Sequence, residues 1–213
     1  MKRYKLTTKD LTTHKGHKWV VGVEQFIAKP GNALCSDQVF HFYDSPRIAI
    51  LLNPAHANIS DPVVWEVDCD EVAHDGVKGG AKRMTIIKKV KIPHFTNLQK
   101  QIFAIKCALA VYRAEDFATW ARDFISGKDR TKKSAAAAAR AAYAAYAAAD
   151  AGDAAAHAAA DAAYAAAAAA HAAYAADAYA AYAADAYAAD AGDAEKIRKA
   201  INAAAKFAAN FKG

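Results

Sequence analysis

Sixty consecutive residues, 135 to 194, hold 41 alanines, seven tyrosines, seven aspartates, two histidines, two glycines and one arginine, with no Leu, Ile, Val, Met, Phe or Trp. Alanine is the strongest helix former, so this stretch reads as helix. A methyl group buries little apolar area, and a seam of leucine-like knobs is not available to it. Small side chains instead allow helix axes to approach closely and gain dispersion contacts along their backbones. The expected arrangement is a set of tightly packed antiparallel helices. Tyr143, Tyr146, Tyr164, Tyr174, Tyr179, Tyr182 and Tyr187 would fill gaps or lie at edges with their hydroxyls wet. The seven aspartates argue against a membrane span, because each is costly in hydrocarbon and alanine offers little to offset it.

The tract has an internal texture. HAAYAADA (171–178), YAAYAADA (179–186) and YAADAGDA (187–194) are consecutive octads. Eight residues advance a helix by two turns plus about 80°, so the larger side chains drift around the axis there. Earlier, Tyr143, Asp150, His157, Tyr164 and His171 keep a spacing of seven and form a stripe. Asp-Ala-Gly-Asp occurs at 150–153 and 190–193. Gly152 and Gly192 can each end one helix while Asp153 and Asp193 cap the next. The competing possibility is one unbroken helix over 134–211, about 117 Å long.

The preceding chain has a different character. Residues 1–133 carry 22 Lys/Arg against 14 Asp/Glu, a balance of +8, whereas residues 134–213 carry 6 against 8, a balance of −2. A basic first part favours acidic partners or serves solubility alone. Tyr4 and Leu6 alternate with Lys and Thr as in a half-buried strand. Trp19–Val23, Val39–Tyr43, Pro62–Asp68 and Met84–Ile92 read as further strands, with a turn at Pro30-Gly31-Asn32 and a loop at Gly76, Gly79 and Gly80. Asp44-Ser45-Pro46 opens a short helix that Asn53-Pro54 should stop. Thr96-Asn97-Leu98-Gln99 is a capping box for a helix with apolar residues at 98, 102, 105, 106, 109 and 112. That helix either continues or restarts near Asp116, and Gly127 suits its C-cap. Ser134 is expected to cap the alanine region. Ile197, Ile201, Ala204, Phe207, Ala208 and Phe211 give the last segment one apolar face for docking. The fold class expected is α+β: a small mixed-sheet domain with two helices (1–127), a basic hinge (128–133), Ala-rich antiparallel helices (134–193) and an amphipathic C-terminal helix (194–213).

Cys35, Cys69 and Cys107 form no CxxC pair and fit a reducing cytoplasm. The start MKRYKLTTKD has no apolar run and is not read as a secretory signal. His14 and His17 form an HxxH in a turn, but no third ligand is signalled, so no metal is expected. Asp153, His157 and Asp161 lie at i, i+4, i+8 as a charge ladder that would favour the imidazolium. His41, Tyr43 and Glu66 are ionisable or polar groups within strand-like runs and are the candidates for acid–base work. Strand alternation gives the plainer alternative that Glu66 faces solvent. Lys78, Lys82, Arg83, Lys88, Lys89 and Lys91 form a basic segment with no acid. It suits either phosphate binding or a charged edge strand.

Cys35-Ser36-Asp37-Gln38-Val39-Phe40-His41-Phe42, then Asp44-Ser45-Pro46 with its short helix, then Val64-Trp65-Glu66-Val67-Asp68, together resemble the N-terminal module of uncharacterised bacteriophage accessory proteins, which often carry Ala-rich repeats behind it. The resemblance implies phage origin and action in the bacterial host cytoplasm. The strand–turn–helix after His41 is also similar to ADP-ribosyltransferase folds, without their arginine and serine-threonine-serine motifs. The leading expectation is a non-enzymatic interaction protein without cofactor that binds a host protein or complex, its alanine helices packing within the chain or in a homo-oligomer. An NAD-using enzyme with His41, Tyr43 and Glu66, and a nucleic-acid binder using the 78–91 segment, are the alternatives.

Overall fold

The computed structural model describes residues 2–34, 36–76, 78–111, 114–149 and 194–212. The chain divides into two compact units, Met1–His94 with Asp193–Arg198, and Phe95–Gly192 with Lys199–Gly213. The division falls near residue 95, so the helices after it belong with the alanine-rich chain. Among the described residues there are five strands in one antiparallel sheet and five α-helices, in agreement with an α+β class. No described helix is long and apolar enough to cross a membrane.

In the first unit the strands are β1 (Arg3–Thr7), β2 (Glu24–Phe26), β3 (Phe40–Phe42), β4 (Val63–His74) and β5 (Gly79–Lys89), with helix α1 (Pro46–His56) between β3 and β4. β1 pairs with β4, β4 with β5, and both β2 and β3 with β5, all antiparallel. Tyr43, just beyond β3, bridges back to Tyr4 through two backbone hydrogen bonds of 2.9 and 2.7 Å. The pairings β1–β4–β5–β3–β1 therefore close into a ring. Register shifts in the β4–β5 hairpin between Glu66 and Val67, and either side of Glu71, bend it enough to allow this.

β2 and β3 occupy one lane along the same edge of β5. Phe26 pairs with Arg83, Ile27 N–H donates to Lys82 O, and Phe40 pairs with Ala81, so the second piece resumes where the first stops. The segment 28–39 leaves this lane and returns to it. It contains the expected Pro30-Gly31-Asn32 turn, tied by Gly31 N–H to Gln38 O.

The ring interior is aromatic: Trp19, Phe40, Phe42, Val67, Ala81, Met84 and Ile86, with Trp65 and Cys69 at its margin. β1 sends Arg3, Lys5 and Thr7 to this side. The Arg3 guanidinium lies over Phe42, Lys5 Nζ sits 4.7 Å from the Trp19 ring centroid, and Thr7 Oγ1 accepts the Trp65 indole N–H. β1 is thus buried on both faces, and the half-buried strand expected from its alternation is corrected: Lys5 is only 6% exposed. On the other side of the sheet, α1 buries Ile48, Leu51 and Leu52.

Three further expectations change. Trp19–Val23 is a turn and not a strand: Gly22 has φ +77°, Val23 N–H bonds back to Val20 O, and regular pairing begins at Glu24. α1 runs through Pro54 to His56, because Asn53, not proline, organises its end. Asn53 O accepts the N–H groups of Ala57 and Asn58, and its side chain bonds both N–H and C=O of Ile59. Gly79 and Gly80 lie in β5 and not in a loop. A Cβ at Gly79 would stand 2.0 Å from Cζ of Phe42, so the missing side chain is what lets β5 pass the ring.

The second unit holds α2 (Asn97–Val111), α3 (Glu115–Ser126), α4 (Lys132–Ala149) and, from Lys199 onward, α5 (Ala194–Asn210). The capping box forms as expected, with Thr96 and Gln99 exchanging bonds of 2.9 and 3.2 Å. Gln99 Nε2 also donates to Ala209 O and Phe211 O, which ties the end of α5 to the start of α2. Gly127 is the left-handed C-cap of α3, and Arg130 donates to Phe124 O and Ile125 O behind it. α4 is capped by Thr131, not by Ser134: Ser134 N–H donates to Thr131 Oγ1, and the helix starts at Lys132 within the expected hinge.

Ala135, Ala138 and Ala139 of α4 are buried against a core that includes Phe117, Trp120 and Phe124 of α3. The opening of the alanine region is thus helix and packed. Gly152, Gly192, the Asp153–His157–Asp161 ladder and Tyr164 through Tyr187 lie outside the described residues. α5 buries Ile201, Ala204, Ala205 and Ala208, while Phe207, expected on the docking face, is 41% exposed with the Lys106 ammonium over its ring.

Two substitutions test these contacts. Gly79→Ala should lower stability by about 1–3 kcal/mol, read as a fall in urea midpoint, because the fully buried Phe42 ring has nowhere to move. Ala139→Leu should cost a similar ~1–3 kcal/mol by overpacking, whereas Ala137→Leu on the exposed face of α4 should be close to neutral.

Candidate functional site

The exposed large apolar side chains are not scattered. Val20, Val21, Val23 and Phe26 fall within seven residues, and Phe26 is 65% exposed. Exposed Ile87 joins them through β5, since Val21 bridges its neighbour Ile86. These residues flank β2, which has β5 on one side and no strand on the other among the described residues. Because Ile27 N–H points to Lys82 O, antiparallel alternation aims the N–H and C=O of Glu24 and Phe26 away from β5, toward the open edge.

A cleft of about 460 Å³ opens at the base of the 28–39 excursion, lined by His17, Phe26, Ile27, Ala28, Lys29, Asp37, Gln38 and Phe40. His17 and Trp19 both meet the Phe40 ring, with centroids 5.2 and 4.7 Å away. His17 Nε2 and Gln25 Oε1 are 2.7 Å apart, and Gln25 Nε2 donates to Lys18 O, so β2 is tied to the 17–19 turn by its inward side chain. On the outward face Arg83 bridges Glu24, Asp68 and Asp70, which fixes β2 to the hairpin.

Lys5 lies against the Trp19 ring. Its Nζ donates to His41 O at 2.9 Å. Burial pulls its pKa down to about 7, partly countered by Cys69. His41 is held down to about 4, first by burial and then by the charges of Lys5, Lys78 and His56.

The acid–base candidates lie away from this cleft. His41 projects from β3 opposite to Phe40 and Phe42, Tyr43 is buried and stacked on His56 of α1, and Glu66 stands beyond Tyr4 in the cross-strand row Tyr43–Tyr4–Glu66. Glu66 lies 3.4 Å from Lys2 and 3.7 Å from Lys88. None of the three lines the cleft. A second histidine, His74, faces Asp44 through Nε2 at 3.3 Å, but its Nδ1 already accepts the Gly76 N–H, so this pair is locked as structure. Arg3 joins Asp44 to Glu71 in the same cluster.

The basic segment is dispersed as well. Lys78 is buried beside Asp75 and Arg83 is surrounded by three carboxylates, while Lys82, Lys88, Lys89 and Lys91 are exposed, Lys88 lying 3.7 Å from Glu66. Tyr143 and Tyr146 lie in α4, and the other tyrosines of the set lie outside the described residues. Among the described residues no group of three His, Cys, Asp or Glu is placed to hold a metal. The open edge was missed in the sequence because Trp19–Val23 has strand composition. The available signal was Gly22, which breaks the run before its valines can enter the sheet.

No protein-family model, curated protein or solved structure matches this chain.

The buried bases set a pH dependence. Between pH 7 and 10.5 the unfolded chain keeps a proton on Lys5 that the folded chain has released, so stability should rise as pH goes from 7 to 9. Above 9 the Cys69 thiol, pushed up to about 11 by burial, acts in the opposite sense. Urea midpoints at pH 7, 8 and 9 should climb for the natural chain and stay flat for Lys5→Met. Between pH 6.5 and 4 the unfolded state binds the extra proton at His41, so acidification should destabilise the protein, and less so in His41→Gln.

Proposed function

We propose that this chain is a non-enzymatic interaction protein that binds a partner protein by adding an extended segment of that partner to the open edge of β2. The observation that carries this reading is that, among the described residues, five of the eight exposed large apolar side chains lie on and beside one strand with an open edge. A row of outward N–H and C=O groups gives backbone affinity, and the neighbouring apolar side chains give area to bury. Under the bacteriophage resemblance the partner would be a host protein. The alanine helices serve as a packing element, for which the burial of Ala135, Ala138 and Ala139 is the support.

Catalysis by His41, Tyr43 and Glu66 is less favoured, since none of them lines the cleft beside β2. Phosphate binding along 78–91 is less favoured because Lys78, Arg83 and Lys88 already have acidic neighbours.

The test is selection of extended peptides from a random library on the whole protein, followed by anisotropy titration. Binding should weaken at least about tenfold in the double variant Val23→Lys/Phe26→Lys, whose sites are exposed. It should also weaken when alternate amides of the selected peptide are N-methylated, which removes the donors that a strand ladder needs. Unchanged affinity in both would contradict the reading.

A further inference from the structure

A second surface lies on the helical unit and is independent of the β2 edge. α2 and residues 199–212 carry Lys100, Lys106, Lys199, Lys206 and Lys212 and no aspartate or glutamate. The described acids of this unit lie on α3 and at the start of α4, and each is engaged there. Glu115 holds Arg122, Asp116 accepts the Phe117 N–H, Asp123 holds Lys128, and Asp129 accepts the Thr131 N–H. Lys106, Lys206 and Lys212 thus have no ion-pair partner among the described residues. Aromatic rings sit among these cations. Lys106 Nζ is 4.3 Å from the ring centroid of exposed Phe207. Phe211 follows one turn later, with its centroid 6.1 Å from that of Phe207, and the Arg130 guanidinium is 5.7 Å from the Phe211 ring. Lys206 and Lys212 adjoin the two rings in sequence and are both exposed.

We propose that this surface binds single-stranded nucleic acid, with bases stacking on Phe207 and Phe211 and phosphates meeting Lys106, Arg130, Lys206 and Lys212. Cations without carboxylate partners attract a polyanion and displace its counterions. Rings interleaved with them accept any base by its π-face, which gives stacking without sequence readout. An acidic peptide would use the lysines but not the rings, and a duplex keeps its bases stacked inside. A lipid surface needs more apolar area than one exposed ring supplies, because Ile201, Ala204, Ala205 and Ala208 of α5 are already buried. The site is held in shape by its own unit. Gln99 and Lys106 lie two turns apart on α2 and both meet α5, Gln99 by donating to Ala209 O and Phe211 O. Arg130 is fixed by its bonds to Phe124 O and Ile125 O, so its charge is positioned before a ligand arrives. This sets the surface apart from the 78–91 segment, where Lys78, Arg83 and Lys88 have acidic neighbours.

The experiment is an anisotropy titration of the full chain against a labelled oligo(dT) of about fifteen nucleotides, a duplex of the same length and an oligo-glutamate peptide. Oligo(dT) should bind at least about tenfold tighter than either of the others, and its affinity should fall by at least about tenfold between roughly 50 and 200 mM salt. Phe207→Leu keeps an apolar side chain but removes the ring, and should weaken oligo(dT) binding about fivefold. Lys206→Gln/Lys212→Gln changes two exposed side chains, so the fold does not depend on it. It should weaken binding and reduce the salt slope by about one to two. Absence of oligo(dT) binding would overturn the proposal. So would unchanged affinity in both variants, which would place the binding elsewhere. Oligo-glutamate binding as tightly as oligo(dT), with Phe207→Leu without effect, would make the surface a site for acidic protein segments and overturn it as well.

Discussion

The first unit is organised by a shortage of room along one edge of β5. The ring closes only if β3 reaches β1, and β3 can run beside β5 only where Gly79 and Gly80 present no side chain to Phe42 and Val39. β3 therefore takes the first residues of β5, and β2 takes the next stretch, Arg83–Thr85, of the same lane. The strand that completes the ring at Tyr43 leaves the other without a second neighbour. The exposed valines, the outward amides and the cleft at the base of the 28–39 excursion all follow from that partition.

Burial of charge inside the ring follows from the same closure. A four-strand ring is too small to fill with aliphatic residues from every strand, and β1 sends Arg3 and Lys5 into it. Aromatic faces receive both cations, and Asp44, Glu71 and the His41 carbonyl supply their hydrogen-bond acceptors. This arrangement makes the fold sensitive to proton activity, through Lys5 and His41.

Much of the helical half was legible in the sequence, because capping and left-handed glycine are local properties. The Thr96–Gln99 box and the Gly127 cap follow from nearest neighbours, and the alanine-rich start of α4 follows from propensity. The sheet was less legible. The valines of 20–23 have strand composition yet lie in a turn, Gly79 and Gly80 have loop composition yet lie in a strand, and Lys5 has surface composition yet is buried. In each case a residue distant in sequence decides: Ile86 for the turn, Phe42 for the glycines, Trp19 for the lysine. The open edge could not be read from residues alone, since it depends on which of two short strands wins the closing position. His41, Tyr43 and Glu66 were readable as polar groups in strands, but only pairing register shows that Tyr4 of β1 separates Tyr43 at the end of β3 from Glu66 of β4.

In the second unit the alanine methyls of α4 share a core with the largest side chains of α3 as well as with Ala104, Ala108 and Ala121. Small against large is the complementarity expected of dense cores. It explains how a helix with no large aliphatic residue acquires a buried face.

The claim on which the functional account stands is that β2 has a bonded side and a vacant one. Amide hydrogen exchange on the free protein reads this directly. Gln25, whose N–H turns toward β5, should exchange slowly, and Glu24 and Phe26 should exchange quickly until a strand-forming peptide is added, then slow markedly. Equal protection of all three amides in the free protein would mean that the edge is already covered, and would contradict the account.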